Sequence, residues 1–111
     1  MKIIFRDRSF NNECNNFKLL RKHQGELRAK KIRQRLDDLS AAECLEDMKT
    51  LPGRCHELKG DRHKQISLDF DHPWRLIFTP VDDPPVCKPD GGIDWKNVKA
   101  IEIIGIEDTH E

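Results

Sequence analysis

The chain has 111 residues, 20 Lys and Arg against 20 Asp and Glu, and equal shares, 36% each, of charged and hydrophobic residues. That length sets one domain, 1–111, able to bury about two-thirds of its unfolded surface without covalent staples. The longest apolar runs are too short to cross a bilayer, and the zero net charge does not mark a uniformly basic nucleic-acid binder. The charge is nevertheless split. Residues 1–36 hold 11 Lys and Arg against 3 Asp and Glu, and residues 76–111 hold 3 against 8, so a locally basic face remains open. Cys14, Cys44, Cys55 and Cys87 are scattered without CxxC spacing. No apolar run at the start is long enough for a signal peptide. The expectation is a cytoplasmic protein with free thiols and no membrane role.

In chain order, residues 2–5 read as a first strand. Phe10, Cys14 and Phe17, continued by Leu20 or Arg21, fall at helical spacing with Asn11 or Asn12 as the cap, and Gly25 ends that helix. Residues 26–39 form a second helix. Ala29, Ile32, Leu36 and Leu39 line its apolar face, and Arg28, Lys30, Lys31, Arg33 and Arg35 make the rest basic, a solvated surface or an RNA or partner surface. Ser40-Ala41-Ala42-Glu43 reads as a capping box opening a short third helix to about Met48.

Pro52-Gly53 then breaks the chain. A segment dense in cations and imidazoles follows: Arg54, His56, Lys59, Arg62, His63, Lys64. Residues 65–70 alternate as a half-buried strand. Asp71-His72-Pro73 is a turn, and residues 74–78 are a second strand with Arg75 set among apolar neighbours. Residues 80–97, rich in Pro, Asp and Gly, predict a long surface loop. Residues 98–107 predict a last strand, apolar enough to be central in a sheet. One strand, then helices, then three strands is an α+β order with helices on one face of a sheet.

His56, Lys59, Arg75, Asp108 and His110 stand where strand ends and loops can bring them together. Two imidazoles, a carboxylate and two cations suit phosphodiester cleavage. One imidazole takes the proton of an attacking hydroxyl, another group protonates the leaving oxygen, and Lys and Arg stabilise the charge that develops. RNA supplies its own nucleophile in the 2′-OH, so neither metal nor cofactor is required. His56…His63 and Cys55…Cys87 match no zinc spacing. Each residue also has a plainer reading: His56 as a hydrogen-bonded surface group, Lys59 as a turn residue, Arg75 as the cross-strand partner of Asp69 or Asp71.

Three blocks in order, Leu51-Pro52-Gly53…His56-Glu57-Leu58-Lys59-Gly60-Asp61-Arg62, Trp74-Arg75-Leu76 and Ile103…Ile106-Glu107-Asp108-Thr109-His110, resemble the HigB or killer-protein branch of the RelE/ParE toxin superfamily, the toxins of bacterial type II toxin–antitoxin pairs. The resemblance runs over nearly the whole chain. It implies a compact α+β, RelE-like (microbial-ribonuclease-like) fold, an antiparallel sheet packed against N-terminal helices. It also implies cleavage of mRNA on the ribosome, and neutralisation by a helix-turn-helix, HigA-like antitoxin. By that likeness His56, Lys59, Arg75, Asp108 and His110 are the catalytic set: the histidines as base and acid, Asp108 assisting, Lys59 and Arg75 on the phosphate. Arg54, Arg62 and Lys64 would hold the RNA backbone. The family commonly ends Asp-Tyr-His. Thr109 here removes an aromatic that could stack on a base, and the 80–97 loop is longer than in compact members. The alternatives are a ParE-like, non-enzymatic inhibitor of DNA gyrase, or a decayed toxin that only binds its antitoxin. The histidine pair argues for the nuclease.

Overall fold

A computed structural model describes residues 1–62 and 64–108. The elements are β1 (Lys2–Phe5), α1 (Arg8–Cys14), α2 (Phe17–Gln24), α3 (Glu26–Ala41), β2 (His56–Glu57), β3 (Ile66–Asp71), β4 (Trp74–Pro80) and β5 (Ala100–Asp108), with 3₁₀ turns at Leu45–Thr50, Gly60–Arg62 and Trp95–Asn97. The strands form one sheet in the order β1-β5-β4-β3-β2. Three of its pairings are antiparallel, as the α+β reading expects, and β1 joins the far edge parallel to β5. β5 is therefore interior, which suits its apolar run.

Period decides the core. Ile66, Leu68 and Phe70 of β3, Leu76 and Phe78 of β4, and Ile101 and Ile103 of β5 share one sheet face. They pack on Ala29, Ile32, Leu36 and Leu39 of α3 and on Phe10, Cys14 and Leu20 of the first two helices. Each fully buried Leu or Ile there contributes about 1.5–3 kcal/mol. The opposite face carries the alternate residues of the same strands, and at its centre Ser67, Arg75 and Ile77 are buried as well.

Three local expectations are corrected. The first helical stretch is two helices: Asp7 caps α1 by accepting from the Ser9 amide at 3.0 Å, and Asn16 caps α2 by accepting from the Leu19 amide at 3.3 Å. A side chain that bonds the backbone locally ends one helix and starts the next, and Phe17 is consequently half exposed, 36%, instead of on the core face. Ser40 and Ala41 belong to the end of α3, so no helix opens at Ser40. Asp47 instead accepts from the amides of Glu43 and Cys44, and caps the Leu45–Thr50 turn. The 80–97 loop is not wholly superficial: Ile93 and Trp95 are buried in the core, and Asp82 accepts from the Lys99 and Ala100 amides at its base.

The basic face of α3 is also used from within. Arg28 lies 4.7 Å over the Trp74 ring, and Arg28 and Lys31 both pair with Asp71, at 3.8 and 3.4 Å. Arg35 Nε donates to the Asp69 carbonyl at 2.7 Å. These cations clamp α3 onto the β3–β4 hairpin, and so fix the strands that carry the polar face. Among the described residues no helix is long and apolar enough to cross a membrane.

Candidate active site

The site begins at Gly53. Its φ is +116°, and a Cβ built there would stand 2.5 Å from Leu68 Cδ1. Only glycine fits both demands. The close approach lets the Asp69 amide donate to the Gly53 carbonyl at 2.7 Å. The loop is thereby locked beside β3, and Arg54 emerges next to Asp69. Gly53→Ala is expected to cost about 1–3 kcal/mol, read as a lower urea midpoint at unchanged m-value.

His56 follows on β2, paired in register with Ser67. Across β3 and β4 the partners are Ser67 with Ile77 and Asp69 with Arg75; across β4 and β5, Ile77 with Gly105 and Arg75 with Glu107. Cross-strand partners share a face. His56, Ser67, Asp69, Arg75, Ile77 and Glu107 therefore share the face of the sheet away from the helices. His56 and Arg75 stand two strands and one pleat repeat apart, about 12 Å between Cα atoms by ordinary sheet spacing.

Charge on this face is organised around carboxylates. Arg75 is only 2% exposed, and its Nε lies 3.1 Å from Asp69 Oδ1. Asp69 Oδ2 lies 3.3 Å from Arg54 Nε. Arg62 reaches Glu107 with both terminal nitrogens, at 2.8 and 2.6 Å, and its Nε donates to Gln65 Oε1 at 2.9 Å. That fork ties the Gly60–Arg62 turn across the sheet to β5. Burying a guanidinium requires such pairing, since an uncompensated charge at that depth is very costly.

His56 Nδ1–H donates to the Arg54 carbonyl at 2.8 Å. A carbonyl only accepts, so the hydrogen sits on Nδ1, and Nε2 is the basic nitrogen of the neutral ring. His56, Arg54, Glu57 and Lys59 line one depression of about 380 Å³. Lys59 is exposed at the rim and makes no ion pair among the described residues. Burial pushes the nearby Cys55 thiol up to about 12. It stays protonated at neutral pH and is no nucleophile.

Asp108 and Lys64 stand apart from this group. Asp108 stands across from Trp74, not Arg75, on the strand side that Trp74 and Arg28 occupy; Glu107 takes the position beside Arg75. Lys64 lines a separate concavity with Pro80, Val86 and Cys87. Thr109 and His110 lie outside the described residues, as does His63. Asp69, Glu107 and Ser67 are site members that sequence reasoning missed as such. The alternation in 65–70 already set Ser67 and Asp69 on one face, but only the pairing shows what they face. The Ser67 hydroxyl is fully buried and without a hydrogen-bond partner among the described residues.

No protein-family model and no curated protein matches the sequence. Solved structures do match in fold. YoeB of Staphylococcus aureus, solved as a dimer, superposes with a TM-score of 0.57 at 21% identity over 100% of this chain and 98% of that one. The same organism's YoeB–YefM complex gives 0.58 at 18% identity, with the same coverage. A YoeB/ParE toxin of Agrobacterium tumefaciens gives 0.61 at 13% identity over 99% of this chain and 100% of that one. The chain has the fold of YoeB and ParE toxins, end to end.

Proposed function

We propose that this protein is the toxin of a type II toxin–antitoxin pair and a metal-independent endoribonuclease that cleaves mRNA on the ribosome. The observation that carries the reading is the common face of His56 and Arg75, with Lys59 and Arg54 at its rim. It joins a proton acceptor with cations suited to a phosphate. The fold shared with YoeB and ParE toxins and the HigB-like blocks of sequence support the same class. His56 Nε2 takes the proton of the 2′-OH as that oxygen bonds to phosphorus. The bond to the 5′-oxygen breaks, and a second group protonates that oxygen. His110 is the proposed acid; Asp108, which stands beside Trp74 and not beside Arg75, is proposed to assist it and not to touch the phosphate. Lys59 and Arg75 stabilise the extra negative charge, and Arg54 holds the backbone. Arg62 acts by positioning the turn through Glu107. A helix-turn-helix antitoxin of HigA type neutralises the toxin, which works in the cytoplasm.

Expression without an antitoxin is expected to arrest growth by stopping translation. Primer extension on cellular mRNA should show cuts inside reading frames, and purified ribosomes should be needed to reproduce them. The products should carry a cyclic or 3′-phosphate and a 5′-hydroxyl. A 5′-phosphate would mean activated water and overturn the mechanism. Intact mRNA with supercoiling defects would move the assignment to gyrase inhibition.

A further inference from the structure

Asp69 is an unusual neighbour for a phosphate site. Its backbone is pinned on both sides, the amide to the Gly53 carbonyl and the carbonyl to Arg35 Nε, each at 2.7 Å. Its carboxylate is therefore held in place between two guanidiniums, Oδ1 toward Arg75 and Oδ2 toward Arg54. A carboxylate and a phosphodiester offer guanidinium the same thing: one negative charge shared by two oxygens. Asp69 thus occupies the kind of position that a phosphate would take. The two arginines differ in freedom. Arg75 is buried, whereas the Arg54 side chain is 57% exposed. Exposed pairs are weak and exchange readily, while a buried guanidinium does not leave its counter-ion without large cost.

We propose that Asp69 is a resident anion of the site: it retains Arg75, and holds Arg54 until an incoming phosphodiester displaces it from Arg54. The resting site is thereby partly neutralised, and phosphate affinity is set by this exchange. The inference rests on the ribonuclease reading only for the identity of the phosphate.

The test uses the full chain and a 2′-O-methylated single-stranded RNA that resists cleavage, with binding followed by fluorescence anisotropy across salt. Asp69→Asn should bind about two- to fivefold tighter, the factor expected for releasing an exposed ion pair. Its salt slope should steepen by about 0.7, one further phosphate contact on a single strand. In an Arg54→Gln background the same substitution should bring no gain. In the unaltered chain, titration with pyrophosphate should shift the Arg54 Nε–H resonance strongly and that of Arg75 far less, because the Arg75 Nε stays on Asp69. Asp69→Asn binding no tighter, or tighter regardless of Arg54, or an Arg54 resonance that pyrophosphate does not move, overturns the proposal. If Asp69→Asn does not fold, the titration of the unaltered chain decides alone. If RNA binds no form but pyrophosphate still moves Arg54, the proposal stands and the RNA reading falls. If RNA is bound and cleaved while Asp69→Asn changes nothing, the reverse holds.

Discussion

His56→Ala is expected to lower RNA cleavage on ribosomes by about 10²–10⁴-fold, the usual worth of a positioned general base, and to restore growth to cells expressing the protein alone. The fold should survive. His56 is half exposed, and the bond it donates to the Arg54 carbonyl is worth about 1 kcal/mol net. The circular dichroism spectrum should therefore be unchanged, with at most a small fall in the urea midpoint. His56→Gln should be as inactive, because an amide donates and accepts but takes up no proton. Full cleavage by either variant would remove His56 from proton transfer, and would leave the charged face as a binding surface only.

Arg75 should behave differently, because it is a structural and a chemical group at once. Arg75→Ala empties a fully enclosed site and leaves the inner oxygen of Asp69 without its cation. Breaking a buried pair costs about 3–5 kcal/mol. Asp69 is partly exposed and keeps Arg54, so about 2–4 kcal/mol is the expected loss. Arg75→Met retains most of the volume and should lose less. Both should lose cleavage by about 10²-fold or more, since the missing charge stabilised the transition state. The comparison separates the roles: chemical denaturation measures the first, and a cleavage assay on the folded methionine variant measures the second. Cleavage at the unaltered rate by Arg75→Met would assign Arg75 to stability alone.

Much of the fold was legible in the residues, because burial follows period. The apolar spacing of Ala29, Ile32, Leu36 and Leu39 gave the core side of α3, and the alternation in 65–70 gave the buried side of β3. Arg75, flanked by Trp74 and Leu76, had to face away from that core once residues 74–78 were a strand. Helix boundaries were less legible: Asn16 and Asp47 act as caps only because their neighbours' amides are left over there, and that depends on where the chain turns next.

The sequence by itself determined which side chains leave the core and which chemistry they offer. Only the tertiary structure decided which of them meet. Register is a property of two strands, so no reading of one segment could tell that Glu107, one residue before the expected Asp108, stands opposite Arg75. Nor could it tell that Arg28, Lys31 and Arg35 reach across to Asp71 and Asp69 and clamp the hairpin. The close approach of Gly53 to β3 places Asp69 between Arg54 and Arg75. Those three residues lie far enough apart in sequence that only chain reversal at the turns, and packing against α3, brings their charges together.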